Sequence, residues 1–518
     1  MSSRGSGKGS SRGSGLRAGS LSTFDSVVMA VGGCGPAYTV VALVPALIAT
    51  AGFASPAVLL YCAVPIVGTA LALRHLGRLD VSSGATYSWV ARTLHPFLGF
   101  LSGWAVVLAT TLFIIASTTP AGSATLALFD EELAGNDALA TAVGLGWFLL
   151  IAALVASGAR IAARVRTVAV GTQLVLLLTV AVAALTRDGH ASAASFSFSW
   201  FGFGHFDAAH TFTAGALIAS ALYWGWDVTA NLSEETRGGR GGSGLGGLIG
   251  LLVFATTLLT LTVAANVLLG PDAVDPTDGA FLLQLGEAAW PGAGGTLLVL
   301  AVPLSMAATL ETTLLQATRT LFAMGRDRTI PSLFGRIHPR RQTPVASTLA
   351  VVAVTVTALL LVAVLSSGVG VLEHALKGIG LLIAFYYALA GLAVTVAYRS
   401  VLFSSPGNLV FLCLWPLAGT AFNIWIFTAS IPTLTGTELA IGLGLLATGL
   451  VPVTLARLHG GRSFFRPRPL RPAFEEYEKY EAYEGHAEYE KHADGRLAQP
   501  PAGAGPAGGR RDGLLSDF

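Results

Sequence analysis

The sequence predicts an all-α integral membrane protein with about twelve transmembrane helices, and composition is the first reason. Apolar residues make up 53% of the 518 positions, charged residues make up 12%, and the mean hydropathy is +0.66. These values lie far outside the range of soluble domains. The second reason is that apolar stretches of about 20 residues recur along the chain, each long enough to cross a hydrocarbon core of about 30 Å as a helix. A soluble protein is therefore excluded.

Charged or Gly/Pro-rich breaks divide the apolar stretches into twelve spans, numbered 1 to 12 below. In chain order they are Phe24–Thr50, Ala54–Leu73, Phe97–Ser117, Ala138–Ala156, Val165–Leu185, Phe212–Leu232, Leu245–Leu269, Thr296–Leu315 with an extension to Met324, Val345–Leu365, Gly378–Ala397, Leu409–Ser430 and Leu439–Ala456. The transmembrane domain is accordingly predicted to cover residues 21–457.

The two ends of the chain have compositions that cannot build a core. Residues 1–20 are rich in Ser and Gly and lack the compact apolar region and cleavage site of a signal peptide. Residues 458–518 change from Arg/Pro-rich to acidic and Tyr-rich around Glu475–Glu490, and then to Pro/Gly/Ala-rich. We expect both to be cytoplasmic tails. The first is disordered and the second largely so, with its acidic run either a short surface helix or disordered.

Basic residues test the number of spans, because a missed or extra helix would invert the side of every later loop. With twelve spans, 29 of the 31 Lys and Arg residues fall on one side, and only Arg187 and Lys377 fall on the other. The opposite loops are acidic, as in residues 130–137 and 272–278. Because cytoplasmic loops carry the Lys and Arg excess, we predict a multi-pass protein of the plasma membrane with both termini in the cytoplasm.

Several function classes find no support in the sequence. The formal net charge of +2 gives no global excess for nucleic acid. The three cysteines have neither CxxC spacing nor a nearby His cluster, so no metal site is predicted. Gly242, Gly244 and Gly247 spell GxGxxG, but they follow a membrane span and not a strand, so we expect a flexible cytoplasmic loop there. With no catalytic set evident, we predict neither an enzyme nor a cofactor.

Spans 1 and 6 each contain a stretch that should interrupt a helix. Span 1 contains Gly32-Gly33-Cys34-Gly35 followed by Pro36. Its glycines permit unusual dihedral angles, while proline removes a backbone donor and disfavours the helical region for the residue before it. Span 6 contains Tyr223-Trp224-Gly225-Trp226-Asp227, a glycine between two indoles followed by an acid. Irregular backbone at membrane depth is tolerated only inside protein or beside a water-filled cavity. Both breaks therefore indicate such a cavity.

The two breaks lie five spans apart. An odd number of helices in a repeat inverts its topology, so spans 1–5 and 6–10 are predicted to form an inverted repeat, which is typical of secondary transporters. In such folds, freed amides bind an anionic group such as a substrate carboxylate, and freed carbonyls hold an amine or a coupling cation. Close helix packing is the alternative explanation for either break alone. Their paired placement favours a substrate site formed by Gly32–Gly35 and Tyr223–Asp227.

Two acids lie inside predicted spans, Asp227 in span 6 and Glu311 in span 8. A charge at the bilayer centre costs roughly 2.5 to 3.5 kcal/mol on insertion scales, so each acid requires compensation. Three roles provide it: proton carrier, contact for a substrate amine, or protonated carboxyl hydrogen-bonded to a neighbouring helix. Because Asp227 directly follows the span 6 break, we predict that it faces the site.

Three stretches carry a resemblance to a known family. They are Gly84–Trp89 continued by Arg92, Pro96, Gly99–Phe100 and Gly103–Trp104; Trp224–Asp227 continued by Glu234–Arg237; and a string from Arg319 through Ala323–Met324, Arg326–Asp327, Pro331, Phe334 and His338–Pro339 to Thr343–Pro344. In order, they resemble the loop and third helix, the sixth helix with its acidic pair, and the loop after the eighth helix of the amino acid, polyamine and organocation (APC) permeases.

The resemblance implies a leucine-transporter-like fold of five plus five inverted helices and two additional C-terminal helices, in a secondary transporter of amino acids or related amines. The glycine motif of the family's first helix maps onto Gly32–Gly35, where Cys34 and Pro36 replace the more usual small and aliphatic residues. On span 5, Gln173 takes the position at which several similar permeases carry a lysine standing in for a sodium ion. Gln173 cannot supply that charge.

Further residues complete the candidate set. Hydroxyls on span 8 can face span 1, although small polar residues in membrane helices also serve packing. Two tyrosines on span 10 are candidates for an outer lid, with lipid-interface or core positions as the alternative. The coupling or span 8 site comprises Asp227, Glu311, Ser305, Thr309 and Gln173, and the candidate gate comprises Tyr386, Tyr387, Glu234 and Glu235.

These observations predict a permease that moves an amino acid or related amine through the lipid bilayer by alternating access, coupled to a cation such as the proton. Its partner is a small-molecule substrate, with no nucleic acid involved. Two alternatives remain open: a membrane sensor that keeps the permease fold and signals through its tails, and a polyamine or amine exchanger.

Overall fold

The computed structural model describes residues 15–472, apart from 159, 187–192, 207–208, 239, 276–279, 365–367, 460–462 and 471. Within this part of the chain every regular element is helical, and the β-type pairing consists of a single bridge between Leu21 and Thr236. Most of both predicted tails, residues 1–14 and 473–518, lies outside the described residues.

The described residues of the first half of the chain form ten helices. They are α1 (Thr23–Cys34), α2 (Pro36–Ala51), α3 (Ser55–Leu79), α4 (Thr86–Thr93), α5 (Pro96–Leu126), α6 (Glu131–Ala134), α7 (Asp137–Ser157), α8 (Arg160–Thr186), α9 (Ala209–Leu222) and α10 (Val228–Asn231). Short 3-10 turns at Gly52–Ala54, Phe198–Phe201 and Phe203–His205 connect some of them. The predicted spans 1 and 6 are therefore each divided in two.

In the second half, the part of the chain that the structure describes contributes ten more helices. They are α11 (Gly242–Leu268), α12 (Phe281–Ala289), α13 (Gly294–Arg326), α14 (Val345–Val364), α15 (Gly368–Ala397), α16 (Pro406–Leu409), α17 (Trp415–Ser430), α18 (Gly436–Leu439), α19 (Leu445–Thr448) and α20 (Leu450–His459). Stretches of π-helix at Val410–Leu414 and Ala440–Gly444 join α16 to α17 and α18 to α19.

Ten stretches of the described chain are long and apolar enough to cross a membrane. One of them, Thr23–Leu79, has 57 residues. At 1.5 Å per residue it would extend about 85 Å if straight, well beyond one crossing of about 30 Å. Gly35 and Gly52 interrupt it with positive φ angles of 57° and 53°. The helices thus form a multi-pass membrane protein.

Burial separates the spans into an inner and an outer set. In the inner set, α1–α3, α5, α11, α13 and α15, between 56% and 72% of the residues in the most apolar part of each span are buried. In the outer set, α7, α8, α14 and α16–α20, the same fraction is 22% to 33%. The outer helices expose apolar side chains, as with Leu349 and Leu360 on α14, which suits contact with lipid. The inner set surrounds the two helix breaks.

The predicted loop at Gly242–Gly247 is wrong, because α11 begins at Gly242. Its glycines let this helix pack closely on its neighbours. A Cβ atom added at Gly246 would overlap the side chain of Ser26, and one at Gly250 would overlap Ala30, both on α1. Small residues spaced four apart form such close contacts between membrane helices. Two glycines of the GxGxxG motif also lie in close contacts, since a Cβ atom at Gly244 would overlap Arg74 of α3 and one at Gly247 would overlap the Thr229 hydroxyl of α10.

Some predicted helix ends also differ from the structure. Span 3 continues past Ser117 through Pro120 to Leu126, because Gly122 lets α5 lie against the backbone of α7 near Gly144. Span 10 begins at Gly368, before the predicted Gly378. The extension of span 8 to Met324 is confirmed, since α13 reaches Arg326.

Candidate substrate site at the paired helix breaks

The first break separates α1 from α2. Gly35 takes φ +57° and ψ +63°, a left-handed conformation that glycine adopts without steric cost, and Pro36 then starts α2. The Gly35 amide donates to the Gly32 carbonyl at 3.2 Å, and the Thr39 hydroxyl donates to the Cys34 carbonyl at 2.6 Å. The predicted unwinding at Gly32–Pro36 is therefore a one-residue interruption, capped by a side chain from the following turn.

The second break separates α9 from α10. The five residues Tyr223–Asp227 lie outside any helix, and Gly225 has φ +100°. Trp226 folds back locally, with its indole Nε1 donating to the Tyr223 carbonyl at 3.0 Å. The predicted break in span 6 is thus present and longer than the one in span 1.

The two breaks touch each other through backbone. A Cβ atom added at Gly33 would overlap the carbonyl oxygen of Gly225, and one added at Gly225 would overlap the carbonyl oxygen of Gly33. Both residues are buried. Only glycine at each position permits this approach, so the structure brings together the two stretches that the sequence singled out.

Helix α13 lies against the first break. The Thr309 hydroxyl donates to the Gly32 carbonyl at 3.0 Å, and the Ser305 hydroxyl accepts from the Tyr38 amide at 3.3 Å. A Cβ atom added at Gly35 would overlap the Thr309 hydroxyl. Ser305 and Thr309 therefore satisfy backbone groups that the break releases, and both hydroxyls face span 1.

Asp227 is buried beside the second break, with 3% of its surface exposed. Its Oδ2 accepts hydrogen bonds from Gln316 Nε2 at 2.8 Å and from the Tyr386 hydroxyl at 2.9 Å. Its Oδ1 has no hydrogen-bond partner, and no cationic side chain pairs with it, among the described residues. Trp224 Nε1 donates to the same Tyr386 hydroxyl at 2.7 Å. Neutral groups alone hold this carboxyl.

Aromatic rings surround the break in helix pair α9–α10. The Trp224 ring lies 5.2 Å from Phe113, and the Trp226 ring stacks on Tyr387 at 5.7 Å. Tyr386 and Tyr387 pack edge to face at 4.7 Å, and each is 1% exposed. The two tyrosines thus lie in the core beside Asp227, which is the alternative that the sequence left open for them.

Glu311 lies away from Asp227. It is five residues before Gln316 on α13, which places the two side chains about 140° apart around the helix. Its Oε1 forms an ion pair with Arg166 of α8 at 2.6 Å. The structure therefore separates Glu311 from the predicted coupling site.

The acidic pair after span 6 is also engaged in ion pairs. Glu235 accepts from Arg319 Nε at 2.9 Å and from its second nitrogen at 3.3 Å, a two-point contact. Glu234 pairs with Arg326 at 2.9 Å and accepts from the Ser83 amide at 2.8 Å. Both glutamates tie the end of the α10 segment to the end of α13.

Gln173 on α8 is fully buried, and neither amide atom has a partner among the described residues. It follows Val170 by three residues, so both lie on one face of α8. Val170 contacts the first break, 3.1 Å from a Cβ placed on Gly32. Gln173 therefore lies on the side of α8 that packs toward the break.

Gln316 is the residue that the sequence analysis missed. A signal was available, because Ser305, Thr309, Gln316 and Thr320 recur at spacings of four, seven and four along α13, which places them on one helix face. A polar face on an otherwise apolar membrane helix points toward protein or a cavity. The sequence could not show that Gln316 bonds to Asp227, because the two residues are 89 positions apart.

The comparisons with known proteins agree with this architecture. Residues 21–454 match the amino acid permease family, and the chain belongs to that family. The resemblance to the APC permeases is confirmed. The protein is thus a multi-pass membrane protein of a transporter family.

Three relatives are informative about the family's range. The chain is 28% identical over 323 residues to the low-affinity putrescine importer PlaP of Escherichia coli strain K12, covering 59% of this chain and 66% of that protein. It is 26% identical over 285 residues to the branched-chain amino acid permease BcaP of Bacillus subtilis strain 168, covering 51% and 58%. It is 27% identical over 357 residues to the human cationic amino acid transporter 4, covering 64% and 53%. Each match spans just under two thirds of the relative's length or less.

Proposed function

We propose that this protein is a secondary transporter that carries an amino acid or related amine across the plasma membrane by alternating access, coupled to protons. One observation carries the proposal. Two helix breaks meet through Gly33 and Gly225 and hold a buried carboxyl, Asp227, whose Oδ1 has no partner among the described residues. The names of relatives, which include a putrescine importer and amino acid transporters, support the same substrate range.

The breaks supply complementary chemistry for such a substrate. The start of α2 after Gly35 offers the positive end of a helix dipole, which suits a carboxylate. The free oxygen of Asp227 suits an ammonium group. We propose Gly32–Gly35 and Tyr223–Asp227 as the binding residues, with the Tyr386 hydroxyl holding Asp227 and Tyr387 packed on Trp226.

Proton coupling rests on the surroundings of Asp227. A charge at membrane depth costs roughly 2.5 to 3.5 kcal/mol on insertion scales, and the neutral donors Gln316 and Tyr386 do not cancel it. In the absence of a cationic ligand, the carboxyl is better accommodated when protonated. Binding of an amine favours the charged form, so substrate binding and proton release become linked.

Topology is the second part of the proposal. We propose twelve crossings, with α1–α8 and the segment from α9 to α15 as two inverted repeats of five spans each. The broken spans 1 and 6 are then equivalent members of the two repeats. Two final crossings, α16–α17 and α18–α20, follow. Both termini then lie in the cytoplasm, as the basic residues predict.

Cysteine labelling tests this topology. We expect Asp275→Cys, in a Cys413→Ser background, to react with a membrane-impermeant maleimide added outside intact cells. A cysteine at Arg336 should react only after the membrane is permeabilised. Modification of Asp275→Cys from the cytoplasmic side alone would contradict the twelve-span topology.

Net flux tests the function. The purified protein in proteoliposomes would be offered labelled amino acids of each charge class and labelled putrescine, without a proton gradient and with an outward one, which drives exchange of an internal proton for external substrate. We expect gradient-stimulated accumulation of at least one amino acid or amine. Binding without flux would favour a sensor, and uptake only into vesicles preloaded with substrate would favour an exchanger. Absence of both binding and flux for every probe would overturn the proposal.

A further inference from the structure

A polar cavity lies away from the helix breaks, at the end of the bundle that the basic residues predict to be cytoplasmic. Its volume is about 480 Å³. Residues 17–21 border one side, Gly158 and the loop 341–343 border another, and Glu311 and Leu315 of α13 also line it. Neither Gly33 nor Asp227 lines this cavity, so it is distinct from the proposed substrate site.

Five arginines and two glutamates line the cavity, a formal excess of three positive charges. Two of the arginines, Arg166 and Arg319, are buried and form the ion pairs with Glu311 and Glu235. The other three are exposed at the rim. They are Arg17, Arg237 and Arg341, and among the described residues none of them forms an ion pair. The rim charges are therefore uncompensated by protein.

The deep end of the cavity has unused donor capacity. One terminal nitrogen of Arg166 donates to Glu311, while the Nε of Arg166 is buried with no partner among the described residues. Its side chain is 4% exposed. A buried guanidinium donor without an acceptor is costly, and an anion within the cavity would provide one.

The rim is organised by the segment before α1. Leu21 and residues 235–237 are joined in both directions, since the Leu21 amide donates to the Glu235 carbonyl at 3.0 Å and the Arg237 amide donates to the Leu21 carbonyl at 2.7 Å. Arg237 Nε also donates to the Gly19 carbonyl at 3.0 Å. These contacts fix residues 17–21, here called the strap, across the cavity, and they hold Arg17 at the cavity rim.

We propose that this cavity binds a phosphate-type oxyanion. Guanidinium groups present paired N–H donors that match the oxygens of a phosphate, and several of them around one cavity favour a multivalent anion. The occupant would bridge the strap and the loop at Arg341 to the buried Arg166. Free phosphate and the phosphate of a lipid headgroup share this chemistry.

Binding of inorganic phosphate tests the proposal. The full chain in nanodiscs of neutral phosphatidylcholine would be titrated with ³²P-labelled phosphate at low ionic strength. We expect saturable binding that Arg17→Gln/Arg341→Gln weakens at least tenfold. Both residues are exposed, so this variant should fold normally. The control Arg336→Gln/Arg340→Gln removes the same charge from exposed arginines of the same loop that do not line the cavity, and it should change the affinity less than twofold.

A second lipid composition distinguishes the sources of the phosphate group. If a headgroup occupies the cavity, nanodiscs containing phosphatidylglycerol will suppress phosphate binding to the wild type, and the Arg17/Arg341 variant will lose copurified anionic lipid. If free phosphate is the ligand, that lipid will have no effect. The proposal fails if neither phosphate nor lipid binds saturably, if both double variants weaken binding equally, or if chloride at equal ionic strength displaces phosphate completely.

Discussion

Three acids lie within or next to the helical bundle, Asp227, Glu235 and Glu311, yet their side chains have different kinds of partner. Each glutamate is paired with an arginine, at 2.9 Å for Glu235 and 2.6 Å for Glu311. Asp227 has Gln316 and Tyr386 as donors to one oxygen and nothing on the other, among the described residues. The charge of the glutamates is compensated within the fold, whereas that of Asp227 is left for a proton or a ligand.

This contrast distinguishes the ion-paired acids from the acid proposed to act in transport more clearly than burial does. A buried ion pair has little reason to change protonation, because each charge stabilises the other. A buried carboxyl held by neutral groups can accept a proton or a substrate amine with little rearrangement of its neighbours. The acids that stabilise the bundle and the acid that we propose for transport are therefore expected to respond differently to substitution.

The largest expected effect is at the backbone contact that creates the site. Gly225→Leu should reduce uptake at least 100-fold while the protein still inserts in the membrane, because any Cβ there meets the Gly33 carbonyl and φ is +100°. Gly171→Leu is the matched control, since Gly171 on α8 has open space around its Cβ position and should retain uptake. Normal uptake by a well-expressed Gly225→Leu protein would show that the break is dispensable.

The second largest effect is expected on stability, when the buried ion pair between Arg319 and Glu235 is broken. Arg319→Met should destabilise the protein by about 3 kcal/mol or more, because it leaves the buried Glu235 unpaired. Arg319→Met/Glu235→Met should recover most of the loss, as measured by thermal unfolding of the purified protein. Asp80→Asn provides the control. It breaks the Arg92 pair, whose side chains are 31% and 22% exposed, and should cost about 1 kcal/mol or less.

The smallest effect is expected on stability, when each of two buried glutamines is replaced by leucine. Gln173→Leu should raise stability by about 1 kcal/mol, because the amide of Gln173 is buried with no partner among the described residues. Gln316→Leu should instead lower stability by a similar amount or more, because it removes a donor from Asp227. Thermal unfolding of both variants measures the difference. A loss of stability in Gln173→Leu would mean that a water or an ion occupies the site beside its amide.

The sequence predicted the parts of this site that depend on local chemistry. Gly35 with Pro36, and Gly225 between two indoles, interrupt helices for reasons contained in a few adjacent residues, and both breaks are present. The presence of an acid at Asp227 was equally visible. The all-helical, apolar architecture followed from composition and span length.

The partners of the acids could not be predicted in the same way. Arg166 and Glu311 are 145 positions apart, and Gln316 and Asp227 are 89 apart, so their pairing depends on how α13 rotates against α8 and the second break. The predicted loop at Gly242–Gly247 was wrong for a related reason. Glycine favours both flexible loops and close helix packing, and only the positions of the neighbouring helices show which of the two applies here.

The central claim is that Asp227, and neither of the paired glutamates, carries the coupling proton. The most direct measurement is accumulation of a transported substrate in proteoliposomes, with and without an outward proton gradient, for wild type, Asp227→Asn and Glu311→Gln. We predict that Asp227→Asn loses the gradient-driven component at least tenfold while remaining folded, whereas Glu311→Gln is less stable but keeps its response to the gradient. Wild-type accumulation and affinity in Asp227→Asn would contradict the account and leave Asp227 as a neutral carboxyl bonded within the bundle.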